Sequence, residues 1–182
     1  MKRRGRLVVL EGGEGSGKST HARHVAAWLK RRGRRVVMTR EPGGSPLAEA
    51  IRGLVLAGGR DKPDTRTELL LMFAARAAHL HAKILPAVKA GADVVSDRFV
   101  DATYAYQGAG RGVPRADIDR LANLVIGSFR PALVIVLDID PELSAEPGFE
   151  SYVAAARRPG AHPLSQSHRV EPLVVDHVRS GG

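Results

Sequence analysis

A glycine-rich segment near the start of the chain places a lysine and a hydroxyl side chain at a spacing suited to phosphate chemistry. Residues 12–19 read GGEGSGKS and fit the pattern G-x-x-x-x-G-K-[ST]. Glycines let backbone N–H groups turn toward phosphate oxygens, and a helix that begins at the end of the loop adds the positive end of its dipole. Lys18 is then expected to reach the β- and γ-phosphates of ATP, and Ser19 to coordinate Mg²⁺. The predicted ATP-binding residues are Gly12, Gly13, Glu14, Gly15, Ser16, Gly17, Lys18 and Ser19.

A second pair of charged residues follows an apolar run in the middle of the chain. Asp97 and Arg98 come directly after residues 93–96, which read DVVS. Ligands of open α/β sheets bind beyond the carboxyl ends of the strands, and an arginine can hold a phosphate through two parallel hydrogen bonds. The pair therefore suits a second, anionic ligand. A surface ion pair, worth less than about 1 kcal/mol, is the alternative.

The elements that must position these residues are indicated by hydrophobic periodicity. Apolar runs predict strands at 7–10, 36–38, 93–96 and 133–139, with a candidate last strand at 173–175. Helical stripes predict helices at 18–32, 47–56, 64–86 and 114–126, and a helical stretch through Tyr104. Strands that alternate with helices predict an α/β fold, a parallel, doubly wound sheet with helices on both faces.

Composition narrows the class of protein further. The 182 residues include no cysteine, which excludes disulfides and thiolate metal sites, and no apolar stretch approaches the length of about 18 residues that a membrane span needs. The net charge of +9 raises nucleic acid as a partner, but no aromatic residues interleave with basic runs such as 30–35. We therefore expect a cytoplasmic protein without a membrane or nucleic-acid partner.

Two histidine pairs have the spacing of metal ligands on a helix. His21 and His24 are three residues apart, and His79 and His81 are two apart. No carboxylate completes either pair at ligand spacing. We interpret all four as solvated helix residues.

Five segments together resemble bacterial thymidylate kinases in their order and spacing. They are 11–20 (EGGEGSGKST), 39–44 (TREPGG), 69–76 (LLLMFAAR), 97–99 (DRF) and 105–111 (AYQGAGR), and the resemblance covers residues 7–142. It implies the P-loop nucleoside-monophosphate kinase fold and ATP-dependent phosphorylation of dTMP to dTDP. It also implies ATP and Mg²⁺ at the donor site, dTMP at the acceptor site, and a homodimer.

The resemblance assigns catalytic roles to four residues. Arg98 would hold the dTMP phosphate, and Asp97 would lie near the Mg²⁺ ion with Ser19. Glu14 matches a carboxylate that faces the acceptor nucleotide. Lys18 would contact the β- and γ-phosphates of ATP, as the phosphate-loop pattern already predicts. Transfer would proceed in line, with no general base, because the acceptor oxygen is already anionic.

The resemblance also implies an acceptor pocket. Arg76 would meet the thymine ring and help to fix the acceptor. Thr103 and Gln107 would hydrogen-bond the base or line its pocket, and Tyr106 would pack on the deoxyribose. Family members often carry a phenylalanine four residues before this arginine, where the present chain has Met72, while Phe73 lies three residues before it. Either side chain could cover the thymine face. The turn that shapes the pocket contains Arg40 and Pro42, and the bond before this proline tends to be cis in the family.

The C-terminal segment departs from the family pattern. We predict a core at 1–142, with both nucleotide sites, and an atypical lid and tail at 143–182 within the same domain. Residues 13–16 of the phosphate loop include no arginine, and Arg157, Arg158 and Arg169 are the candidates for a lid arginine. Two alternatives stay open: a nucleotide-binding protein with impaired or no catalysis because of its altered lid, and a kinase for another nucleoside monophosphate.

Overall fold

The computed structural model of the protein describes residues 4–57, 62–138 and, for the backbone, 173–176. Five strands form one parallel sheet in the order β2-β3-β1-β4-β5. Their bounds are β1 Leu7–Gly12, β2 Val36–Arg40, β3 Asp93–Asp97, β4 Leu133–Asp138 and β5 Leu173–Asp176. The predicted parallel α/β sheet is confirmed, including its last strand.

Helices cover both faces of this sheet. The α-helices are α1 Lys18–Arg31, α2 Pro46–Leu56, α3 Thr65–His79, α4 Leu85–Lys89, α5 Val100–Thr103 and α6 Arg115–Ile126. One apolar cluster packs Leu7 and Val9 of β1 with residues of α3 and α6, while Leu10 packs on the other face with Ala22 and Ala26 of α1. Alternate residues of a strand point to opposite faces, so the apolar run in β1 contributes side chains to the apolar clusters on both faces of the sheet.

The long helix predicted at 64–86 is divided in the structure. Its start is as predicted, because the Asp64 side chain accepts a hydrogen bond from the Thr67 N–H at 2.7 Å. A π-helical segment, Leu80–Ile84, then separates α3 from α4. Pro86 lacks an N–H, and its ring would clash with the carbonyl four residues earlier in a regular α-helix. We attribute the wider turn before Pro86 to this clash. A second π-helical segment, Tyr104–Ala109, continues α5.

The register of the sheet brings the phosphate loop and the Asp97-Arg98 pair together. Leu10 of β1 lies beside Asp97 of β3, and Gly12 lies beside Leu137 of β4. Parallel strands end at the same edge, so the loop after β1 and the Asp97-Arg98 pair after β3 share one cleft. Within the described part of the chain, no helix has the length and apolar character needed to cross a membrane.

The turn after β2 is closed against α3. The Glu41–Pro42 peptide bond is cis, as the resemblance implies. Gly44 follows with a φ of 89°, and a Cβ at this position would lie 2.3 Å from His79 Nε2 and 2.5 Å from Thr39 Oγ1. Both the backbone conformation and the space therefore require glycine here.

We expect Gly44→Ala to lower the free energy of unfolding by about 2 kcal/mol or more, because the new methyl group overlaps two side chains in a left-handed backbone conformation. Gly53→Ala is the matched control, since a Cβ at that helical position meets nothing within 4 Å. The control should be neutral or stabilise by up to about 1 kcal/mol. Urea unfolding of the three proteins measures the difference, and equal midpoints for both variants would contradict the interpretation.

Candidate active site

The phosphate loop wraps around its own lysine. A Cβ on Gly12 would lie 2.5 Å from Ser16 Oγ and 2.7 Å from the Leu137 carbonyl oxygen, so the loop leaves β1 in close contact with β4. The buried Lys18 Nζ donates to the Gly13 carbonyl and lies 3.4 Å from Ser16 Oγ. Lys18 is the first residue of α1, where the helix dipole favours negative charge. This arrangement is suited to the phosphates of a nucleotide.

Ser19 and Asp97 meet at the edge of the sheet. Ser19 Oγ donates to Asp97 Oδ2 at 2.7 Å, across 78 residues of sequence. Hydroxyl and carboxylate oxygens are ligands that Mg²⁺ accepts, and this ion commonly keeps several waters and substrate phosphates in its shell. Among the described residues no group of three histidine, cysteine or acidic side chains could hold a metal ion. The pair therefore fits Mg²⁺ that is bound together with phosphates.

Arg98 adopts a backbone conformation that is rare for a residue with a side chain. Its φ is 71°. Its N–H donates to the Leu10 carbonyl at 2.8 Å, and its carbonyl accepts from Ser96 Oγ at 2.8 Å. The guanidinium donates to the Tyr106 hydroxyl at 2.6 Å and lies 4.8 Å from the centre of that ring. Such strain persists where the surrounding structure holds it, often at functional sites.

Glu11, the residue before the phosphate loop, is fully buried and was not singled out by the sequence analysis. Its Oε1 accepts a hydrogen bond from the Phe99 N–H at 2.7 Å. Burial and the nearby Asp101 carboxylate raise the pKa of Glu11 to about 8, although Arg98, the Phe99 N–H and Arg76 act in the opposite direction. The sequence signal that could have identified Glu11 is its position as a charged residue directly after the apolar run 7–10.

Arg76 is enclosed rather than exposed on a helix face, with 1% of its surface accessible. Its Nε donates to Glu41 Oε2 at 2.7 Å, and its Nη2 donates to the Phe99 carbonyl at 3.0 Å and to Thr103 Oγ1 at 3.2 Å. Its Nη1 is buried and has no hydrogen-bond partner among the described residues. Nη1 is therefore a buried donor without a partner, on a residue that belongs to the cavity lining.

The interpretation of all four histidines as solvated is wrong for His79. This residue has no accessible surface, and its Nδ1 lies 3.0 Å from Glu41 Oε1 while its Nε2 lies 2.7 Å from Thr39 Oγ1. His24 and His81 are exposed, and His21 is partly exposed. Position on a helix did not reveal the burial of His79, because its partners come from the end of β2 and the turn that follows.

Gln107 has one amide atom engaged and one without a partner. Its Nε2 donates to Glu68 Oε1 at 2.7 Å, and the second oxygen of Glu68 accepts from Arg111. Gln107 Oε1 is buried, and no described residue bonds to it. Gln107 is one of the residues predicted from the sequence, whereas Glu68 is not; Glu68 lies 39 positions away, in the first turns of α3.

One cavity of about 1000 Å³ connects these features. Met72 lines it, whereas Phe73 packs in the core beneath. Besides Phe73, four predicted site residues are not among those that line the cavity. Thr103 bonds to Arg76, which does line it, and the other three, Gly12, Gly13 and Ser16, belong to the phosphate loop. The other predicted site residues all line the cavity: Glu14, Gly15, Gly17, Lys18, Ser19, Arg40, Pro42, Arg76, Asp97, Arg98, Tyr106 and Gln107.

Fold and site together define a phosphotransferase with the P-loop nucleoside-monophosphate kinase fold. The sequence matches the Thymidylate kinase family over residues 10–151. The chain belongs to the thymidylate kinase family.

Individual relatives support this membership. A thymidylate kinase of Hahella chejuensis is 45% identical over 169 residues, which cover 93% of this chain and 77% of that protein. One from Chromohalobacter salexigens is 55% identical over 139 residues, covering 76% of this chain and 66% of that protein. The crystal structure of thymidylate kinase from Ehrlichia chaffeensis is similar with a TM-score of 0.76 and 32% identity, covering 95% of this chain and 87% of that one.

These findings confirm the predicted family and fold class. The predicted boundary at residue 142 and the lid candidates Arg157, Arg158 and Arg169 lie outside the described residues. The cytoplasmic location and the lack of nucleic-acid or membrane partners stay predictions, as do the individual roles of the site residues.

The raised pKa of Glu11 predicts a specific pH dependence of stability. Between its ordinary value of 4.5 and about 8, the folded protein holds a proton on Glu11 that the unfolded chain has released. The contribution of this group to stability is therefore present below pH 4.5 and is lost as the pH rises toward 8. Glu11→Gln keeps an acceptor for the Phe99 N–H but does not titrate.

We expect the parent protein to lose more stability than Glu11→Gln when the pH is raised from 5 to 8.5. Other titrating groups cancel in this comparison, because both proteins share them. Urea unfolding at four pH values gives the two curves, and parallel curves would show that Glu11 is ionised throughout.

Proposed function

We propose that the protein transfers the γ-phosphoryl group of ATP to the 5′-phosphate of dTMP, producing ADP and dTDP. The observation that carries this proposal is a pair of buried polar atoms at the acceptor end of the cavity, the donor Arg76 Nη1 and the acceptor Gln107 Oε1. A buried polar atom without a partner costs about 1–3 kcal/mol, so a ligand that satisfies both atoms is favoured.

The polarity of the two atoms matches the edge of a thymine ring. Thymine offers an N3–H donor beside a carbonyl acceptor, which suits Gln107 Oε1 and Arg76 Nη1 respectively. Cytosine offers the reverse, an N3 acceptor beside an amino donor, and would leave both protein atoms unsatisfied. Guanine shares the thymine pattern, and membership of the thymidylate kinase family selects thymine between the two.

The phosphate end of the cavity supplies positive charge on rigid elements. Lys18 stands at the start of α1, and Arg98 is fixed by backbone hydrogen bonds on both sides. When bound beside Ser19 and Asp97, Mg²⁺ supplies charge neutralisation for the β- and γ-phosphate oxygens. We assign the ATP phosphates to Lys18 and the acceptor phosphate to Arg98. The acceptor oxygen is anionic, so positioning and charge stabilisation suffice without a base.

The remaining walls of the acceptor site follow from the same cavity. We assign the deoxyribose to Tyr106, whose hydroxyl already receives a hydrogen bond from Arg98. Met72 covers the base, and the turn with Arg40 and Pro42 closes one side. Glu14 faces the acceptor from the phosphate loop. These roles rest on the positions of the side chains in the cavity lining and on the family resemblance.

The direct test is ADP release in a coupled assay with ATP, Mg²⁺ and a panel of monophosphates. We expect turnover with dTMP, and little with dCMP or dAMP. Lys18→Ala should lower turnover by about 10²-fold or more, because it removes a charge directed at the phosphates. Thermal unfolding of the variant serves as the control for folding. ADP release that is equal for all acceptors, or unchanged by the substitution, would contradict the proposal.

We also propose that two copies of the chain associate through α2, α3 and α6. Helix α3 packs against both α2 and α6. Leu54, Leu70 and Leu124, one on each helix, expose more than half of their surface. A neighbouring copy would remove these leucines from water, at about 25 cal/mol per Å².

Light scattering after size exclusion should therefore give the mass of a dimer. Leu70→Lys should shift the protein toward the monomer, whereas Lys30→Ala, on helix α1 at the other face of the sheet, should not. A monomeric parent protein at micromolar concentration would rule out this association.

A further inference from the structure

We infer that Glu68 is a positioning residue that determines base specificity, because it fixes which atom of the Gln107 amide faces the acceptor site. The inference rests on the proposed function. An ionised carboxylate can only accept hydrogen bonds. Glu68 Oε1 lies 2.7 Å from Gln107 Nε2, so the amide nitrogen must be directed at Glu68. The amide oxygen is then the atom turned away from Glu68; it is buried, no described residue bonds to it, and Gln107 belongs to the cavity lining, so a ligand can supply the missing donor.

Glu68 itself is held from two sides. It belongs to the first turns of α3, and its backbone N–H donates to the Asp64 carbonyl at 2.8 Å. Its second carboxylate oxygen accepts from Arg111, so both oxygens act as acceptors at once. Turning the Gln107 amide over would set its oxygen against a carboxylate oxygen in a buried place, which is repulsive. The orientation of the amide is therefore fixed before any nucleotide binds.

This orientation has a chemical consequence for the base. Gln107 Oε1 can receive the N3–H of thymine, but it faces a lone pair on N3 of cytosine. The reversed amide would present Nε2 instead and would suit cytosine. Glu68 does not need to touch the nucleotide to exert this selection, since it acts through the amide that does. Loss of one buried hydrogen bond corresponds to a change of about 10- to 100-fold in affinity.

The test replaces the carboxylate with a group of the same shape that can donate. In Glu68→Gln the new amide can either accept from Gln107 Nε2 or donate to Gln107 Oε1, so both orientations of Gln107 become available. Calorimetric titration gives the Kd values of dTMP and dCMP for each protein. We expect the ratio Kd(dCMP)/Kd(dTMP) to fall by about 10-fold or more, chiefly because dCMP binds more tightly.

Arg111→Gln is the matched control. It removes the other partner of the same carboxylate but leaves Glu68 to accept from Gln107. We expect it to retain the parent ratio of Kd values even if both affinities decrease. A purely structural role for Glu68 would instead lower the affinities for dTMP and dCMP together in Glu68→Gln, with the ratio unchanged, and this result would overturn the inference.

A measurement on the parent protein keeps the inference testable if Glu68→Gln does not fold. The side-chain amide protons of Gln107, identified by their loss from the spectrum of Gln107→Leu, should exchange slowly with solvent in the absence of nucleotide. Rapid exchange would show that Glu68 does not hold the amide. A parent protein that binds dTMP and dCMP equally would contradict the proposed acceptor, whereas a selective parent with an equally selective Glu68→Gln would contradict the inference alone.

Discussion

The burial of the Arg76 charge is the constraint on which the acceptor half of the molecule depends. Removing a guanidinium from water costs several kcal/mol unless a counter-charge and hydrogen bonds replace the solvent. Glu41 supplies the counter-charge, and Phe99 and Thr103 supply oxygen acceptors. Glu41 is buried as well, and its second oxygen meets His79. The turn after β2 and helix α3 are therefore locked to each other by one chain of polar contacts, and Gly44 is required because that chain leaves no room for a side chain.

The two ends of the cavity are connected through the backbone of Phe99. Its N–H donates to Glu11, the next-to-last residue of the strand that precedes the phosphate loop. Its carbonyl accepts from Arg76, which belongs to the acceptor site. A displacement of either end thus changes the hydrogen bonds of the same residue. The spacing of the donor and acceptor sites is therefore tied to two short, buried contacts of the Phe99 backbone.

The architecture and the phosphate loop could be predicted because both are local patterns. An apolar run, a glycine-rich turn and a helical stripe each lie within a few consecutive residues. Three consecutive apolar residues, 173–175, were enough to predict β5. Glu11, Glu41 and Glu68 were missed because their partners lie 88, 35 and 39 positions away. A single acidic residue on a helix or strand looks solvated when the sequence is taken alone. The same reasoning failed for His79, while Met72 and Phe73 could be separated only once the rotation of α3 placed one in the cavity and one in the core.

The strained backbone conformation of Arg98 also depends on these buried contacts. A left-handed backbone conformation costs a residue with a side chain about 1–2 kcal/mol, and it persists here because β1, Ser96 and the Glu11–Phe99 hydrogen bond hold both sides of it. In return, the guanidinium leaves the end of β3 in a fixed direction and lies against Tyr106. Charge that is already oriented needs little reorganisation when a phosphoryl group moves past it, and such preorganisation is a principal source of electrostatic catalysis. The stability given up at Arg98 is therefore linked to function through Glu11, whose buried carboxyl group holds the Phe99 backbone between the two sites.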